Sequence, residues 1–226
     1  MDTTRDVIAR VRAMLPPTDS TPDDDGLLAT VAGAHTAVAE HALATVSPAP
    51  PGESMPRDFG YVAVQEYYEE PWIVDLRTSI ARLFFCTYAK ANRTVRGKRA
   101  GNPHRVCIHV TVGRRVNATA ADMVAAAVVD AIRRRAHRDA RQALEDARNR
   151  SVDEPDTRTW SHGAKREAGK RIVDAIDRMA DEAAITQARL QPIYALDARL
   201  ADLYVATELD GRQTLSAKKL KVAVAA

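Results

Sequence analysis

The stretch "RVCIHVTVGRRVNATAADM", Arg105–Met123, decides how the rest of the chain is read. Val106, Ile108, Val110 and Val112 alternate with Cys107, His109 and Thr111, the period-two pattern of a strand. Gly113 is expected to break that strand. Asn117 or Thr119 then offers a side-chain oxygen as the N-cap of a helix carrying Met123, Val124, Val128, Ala131 and Ile132. Strand, glycine turn and capped helix in immediate succession predict an α+β architecture in which a small sheet feeds a long helix.

Working outward, "LRTSIARLFFCTYA" upstream changes from helical to extended. Trp72, Leu76, Ile80 and Leu83 recur at helical spacing, and "FFCTYA" suits a strand. The two strands are joined by "KANRTVRGKRAGNPH", which predicts an antiparallel hairpin across a basic connection. Further upstream, "YVAVQEYY", Tyr61–Tyr68, has strand propensity, and "VSPAPPGESMPRD" is Pro-rich and reads as a linker. Thr4–Leu15 is a one-sided helix on Val7, Ile8, Val11 and Leu15, stopped by Pro16 and Pro17. A second helix, Gly26–Ala44, is expected to be capped by Asp24 or Asp25. Downstream, a helix from Trp160 or Ser161 places Gly169, Ile172, Ile176, Met179 and Ala183 on one face. A last amphipathic piece runs Ile193–Ala206. The fold class is therefore α+β and mostly helical, with an N-terminal helical hairpin followed by a small antiparallel β-hairpin packed on long helices. The divisions are residues 1–45 (helical hairpin), 46–60 (linker), 61–190 (α+β core) and 191–226 (C-terminal helical extension).

At 226 residues the chain can bury a sizeable core, and its composition of 46% hydrophobic and 28% charged residues is that of a globular protein. No run of about 18 apolar residues offers a transmembrane helix. The start "MDTTRDVIAR" lacks the basic and apolar regions of a signal peptide. Two cysteines do not make a disulfide scaffold. A cytoplasmic protein with no membrane partner is the expectation.

The net charge of +3 hides a segregation. Residues 1–60 carry nine acids against four arginines, whereas residues 77–115 carry ten bases (Arg77, Arg82, Lys90, Arg93, Arg96, Lys98, Arg99, Arg105, Arg114 and Arg115) and no acid. Such a field speaks to partners rather than to fold. Arg93, Arg96, Lys98, Arg99 and Arg105 lie on or beside the strand connection, and Arg114 and Arg115 return charge to the opposite strand end. Arg133, Arg134, Arg135 and Arg138 add a basic turn on the following helix. These arginines and lysines can contact phosphates of DNA or RNA without reading bases. The alternative is that the patch docks on an acidic protein surface. The bland reading is a solvated hairpin that offsets the acidic N-terminal half. Homo-oligomerisation is left open.

Cys86, His104, Cys107 and His109 are the residues of metal-ligating type near the sheet, and antiparallel pairing could bring the two thiols face to face. They lack the paired ligands, two to four residues apart, of a zinc knuckle, and small buried cysteines are common core residues. No metal and no cofactor is assigned. The chain has no HExxH, GxSxG or GxxxxGK[ST] phrase, so no catalytic residue is named. The reading leans away from an enzyme, with a metal-dependent one as the remaining alternative.

The chain also resembles a bacterial and phage family, domain of unknown function 2786, with its companion module, domain of unknown function 7168. "DVIARVRAML" and "LLATVAGAHTAVAEHAL" are similar to the helical hairpin of the first. "LRTSIARLFFCTYA", "VGRRVNATAADM" and "SHGAKREAGKRIVDAI" are similar to phrases of the second. The closing methionine of the first module is missing here, and the aromatic near the start of the last phrase is displaced to Trp160. The resemblance implies no activity. It implies a setting, that of an accessory protein of a phage or mobile element.

Overall fold

A computed structural model describes residues 3–45, 59–66, 70–95, 104–150, 155–186 and 199. The elements are α1 (Thr4–Met14), α2 (Asp24–Thr45), β1 (Phe59–Glu66), α3 (Pro71–Leu83), β2 (Thr87–Val95), β3 (His104–Arg114), α4 (Arg115–Asn149) and α5 (Thr157–Thr186). The fold is mostly helical α+β, with an N-terminal helix pair and a small antiparallel sheet packed against long helices.

α1 begins with a reciprocal capping box: the Thr3 hydroxyl oxygen accepts from the Asp6 N–H, and the Asp6 carboxylate accepts from the Thr3 N–H. Val7 and Val11 are fully buried. At α2 the cap differs from expectation. Asp23, not Asp24 or Asp25, accepts from the Gly26 N–H at 2.8 Å, which leaves the Asp24 carboxylate available for other elements. Leu27, Val31, Ala34 and Val38 carry the helix pair into a core shared with α3, α4 and α5.

The sheet has three strands, not two, in the order β1-β3-β2 with both pairings antiparallel. β1 starts at Phe59, two residues before the expected Tyr61, because Phe59 and Gly60 continue the ladder opposite Arg114 and Gly113. With a strand on each side, β3 is buried on both faces: Cys107, Ile108, His109, Val110, Thr111 and Val112 are all buried. The alternation in the sequence reports a strand, and its central place removes the polar face that alternation usually implies.

Gly113 does not break the strand. It pairs with Gly60, and β3 runs to Arg114 before α4 starts at Arg115 with no connecting residue. Gly113 is required for packing, since a Cβ there would lie 2.7 Å from Cys86 Sγ. The N-cap is Arg114, which makes no side-chain cap bond. Asn117, expected as a cap, is buried inside the helix and donates from Nδ2 to the Phe84 carbonyl at 3.0 Å. "FFCTYA" also divides differently. Phe84 and Phe85 form a turn, with Phe85 at φ 58°, and β2 starts only at Thr87. Beyond Arg138 α4 becomes mostly polar, but Ala140 and Ala147 are buried. The linker residues 46–58 lie outside the described residues. So does the expected 193–206 helix, except Arg199, which is helical.

α3 and α5 pack closely because Gly169 has no side chain: a Cβ there would lie 2.7 Å from Trp72 Cε3 and 3.1 Å from Trp72 Cβ. The indole is held by its N–H donation to Glu70, which also accepts from Lys165 at 3.2 Å. Gly169→Ala is therefore expected to lower the unfolding free energy by about 2 kcal/mol, an overpacking cost that exceeds its gain in helix propensity. Gly163 on the same helix has nothing within 4 Å of the Cβ position, so Gly163→Ala is expected to stabilise by about 1 kcal/mol. Urea titration of the two variants checks both signs.

Candidate nucleic-acid interface

β1 is described as far as Glu66 opposite Cys107, and the β2–β3 ladder is described through Arg93 opposite Val106, Thr94 opposite Arg105 and Val95 opposite His104. Arg93 and Arg105 thus occupy positions in the last described rungs of the hairpin. Arg96, Lys98 and Arg99 belong to residues 96–103, which lie outside the described residues. Arg114 and Arg115 sit nine and ten residues beyond Arg105, about 30 Å away along the strand and its junction. Arg114 is buried opposite Phe59, and Arg115 is exposed alongside Gly60. The expected set of seven cations is therefore divided between the two ends of the sheet.

Two other bases of the acid-free stretch meet acids from elsewhere in the chain. Arg77, with its side chain 2% exposed, donates to Asp122 at 2.8 Å. Arg82 reaches Asp177 at 3.6 Å and also bonds Asp181. The basic turn of α4 holds the α1–α2 connection. Arg134 Nε donates to the Ser20 carbonyl at 3.3 Å, Arg135 to the Pro22 carbonyl at 3.2 Å and to Asp24, and Arg138 to the Thr21 hydroxyl. Arg171 of α5 meets the other Asp24 oxygen at 2.8 Å. Burial pushes the Asp24 carboxyl up, but the bonds from Arg171 and Arg135 outweigh it and hold the group below the usual carboxylate range. The cleft of about 320 Å³ lined by Asp23, Asp24, Asp25, Arg135 and Arg171 is walled by this network, and both of its arginines are already bonded to Asp24.

The cysteines and histidines do not converge. Cys86 lies by Gly113, and Cys107 pairs across the sheet with Asn92 and Glu66. Six residues of β3 separate the two levels, about 20 Å, so the thiols are not face to face. His104 stands at the far rung, opposite Val95. His109 is buried, with Nδ1 at 2.6 Å from the Tyr88 hydroxyl and its ring stacked on that tyrosine at 5.9 Å. Tyr88 is thus engaged with His109 inside the sheet. Among the described residues no group of three or more His, Cys, Asp or Glu side chains could hold a metal ion. None of the helices among them is long and apolar enough to cross a membrane.

Two features escape a reading by spacing. His35 is buried on α2 against the rings of Phe84 and Phe85, with centroids at 5.9 and 5.8 Å, and its Nε2 has no hydrogen-bond partner. Its place between Ala34 and Val38 on an apolar helix face was the available signal. Trp160 is exposed near the start of α5, while Ser161 and Lys165 of the same turns are buried.

No family model, curated protein or solved structure matches the chain.

Proposed function

We propose that the protein contacts nucleic acid non-specifically through the basic end of the β2–β3 hairpin, acting as an accessory protein of the phage or mobile-element type in a cytoplasmic setting. The observation that carries this reading is the β2–β3 hairpin, in whose last described rungs Arg93 and Arg105 stand. Between them the sequence adds Arg96, Lys98 and Arg99 and no acid. The major groove of duplex DNA admits a β-hairpin, and the cations of this one suit phosphate contacts that fix position without reading sequence. Arg77 and Arg82 drop out of the interface, since acids of the same chain hold them. Arg114 and Arg115, at the far end of β3, make at most a separate contact.

The test is binding of labelled DNA across a salt series. Five phosphate contacts give a slope of log affinity against log salt of about −4.5 on duplex DNA. Reversing Arg93, Arg96, Lys98 and Arg99 to glutamate is expected to reduce the affinity at least 100-fold and flatten the slope, with the helical circular dichroism unchanged. Unaltered binding by that variant would overturn the proposal. Capture of an acidic protein that resists nuclease treatment, in place of DNA or RNA, would favour the docking alternative.

A further inference from the structure

We infer that β1 is the contact by which two copies of the chain join, pairing antiparallel about a two-fold axis at Ala63 so that Glu66 of each copy meets Arg115 of the other. The inference does not rest on the nucleic-acid reading above. Among the described residues β1 pairs with β3 alone and forms one edge of the sheet. An open edge invites a further strand unless something blunts it. The other edge, β2, carries the exposed Lys90 at mid-strand and Arg93 beyond it, charges that oppose pairing with a like strand. β1 has no such device. Its eight residues, "FGYVAVQE", hold no proline and no cation, and their rungs against β3 run without a bulge. Val62 and Val64 stay half-exposed, whereas Val110 and Val112 of β3 are buried.

Charge complementarity selects the occupant. Gly60, Val62, Val64 and Glu66 share one face of β1 by the period-two rule. Arg115 lies on that face at the Gly60 end: its Cγ and Nε are 3.6 Å from where a Gly60 Cβ would stand. It is exposed, and among the described residues no acid pairs with it. The start of α4 adds to its charge, because the first turn there holds no acid and no side chain caps it. Glu66 is the one charged residue of Phe59–Glu66 and stands at the far end. The edge thus has a cation at its start and an anion at its finish, with apolar residues between, a pattern that complements an antiparallel copy of itself. With Ala63 facing Ala63, Val62 faces Val64 of the second copy and Gly60 faces its Glu66, twice over by symmetry. Pairings centred on Val62 or Val64 shift Glu66 by two positions and lose both ion pairs. Main-chain bonds across the joined edges supply affinity, and the alternate side chains fix the register.

The experiment is sedimentation velocity of the full chain, freed of nucleic acid by nuclease, over a concentration series. One strand edge is a small interface, so a reversible dimer that dissociates on dilution is expected. Arg115→Glu and Glu66→Arg should each weaken it at least about tenfold, since like charges then face one another. Unchanged helical circular dichroism checks that both variants fold. An equimolar mixture of the two should dimerise as the parent does, because each copy brings the charge the other needs. Amide hydrogen exchange in Phe59–Glu66 should also slow as the parent is concentrated, a readout that needs no substitution. A parent that stays monomeric at every concentration would overturn the inference, even if β1 then captured a strand from another protein. So would a dimer indifferent to both reversals, a mixture no tighter than its folded components, or exchange in β1 that ignores concentration.

Discussion

Asp122→Ala is expected to lower the unfolding free energy by roughly 3–5 kcal/mol, a large share of the 5–15 kcal/mol that holds an ordinary domain together. The reason lies with its partner. The Arg77 side chain is 2% exposed, and Asp122 answers it from α4 at 2.8 Å. Arginine cannot shed its proton to escape burial, so removing the carboxylate leaves a full charge in a poorly solvated place. The loss should appear as a fall in the urea midpoint with little change in slope. Asp122→Asn, which retains an acceptor, should fall between the variant and the parent. A double variant, Arg77→Met/Asp122→Leu, should recover most of the loss, since the cost comes from the orphaned charge rather than from missing attraction. A loss below 1 kcal/mol for Asp122→Ala would contradict this account.

Acid should destabilise the protein through His35. Burial lowers its pKa from 6.5 to about 4. The unfolded chain, with an ordinary imidazole, therefore takes up a proton at a higher pH than the folded one. Between pH 6.5 and pH 4 the unfolded state binds more protons, so stability falls as pH falls through that window. His35 contributes its full share above pH 6.5, and roughly 3 kcal/mol of it is lost by pH 4. No charged group enters this shift; the cause is desolvation alone. The carboxylates of Glu70 and Asp24, held below their usual values of 4.5 and 3.8, add losses that begin only as pH falls through those values, at the acid end of the window and below it. His35→Leu should flatten the stability profile between pH 6.5 and pH 4. An unchanged profile in that variant would remove His35 as the cause.

The sequence made much of this fold legible, for definite physical reasons. The pattern of Val106, Ile108, Val110 and Val112 identified β3, and the helix it feeds was visible from Val124, Val128 and Ile132. What spacing could not supply was the third dimension. The burial of both faces of β3 depends on β1 and β2 flanking it, which no window of β3 itself contains. Asn117 looked like a cap because asparagine often is one, and only the carbonyl of Phe84, 33 residues earlier, gives it an interior partner. Charge was the least legible property. Arg134, Arg135 and Arg138 read as a basic turn facing outward, but their partners lie more than 100 residues upstream. Lys165 on α5 is likewise turned inward, to Glu70, which lies 95 residues upstream.

The absence of any residue between β3 and α4 has a mechanical result. Extended and helical backbone meet at a rigid joint, so the twist of the hairpin and the roll of α4 about its axis are geared together. Torque applied at the Val95–His104 rung passes down the strand to a shaft whose other contacts grip the turn between α1 and α2. Inserting two glycines at that joint would act as a clutch, leaving each half folded while uncoupling their motion.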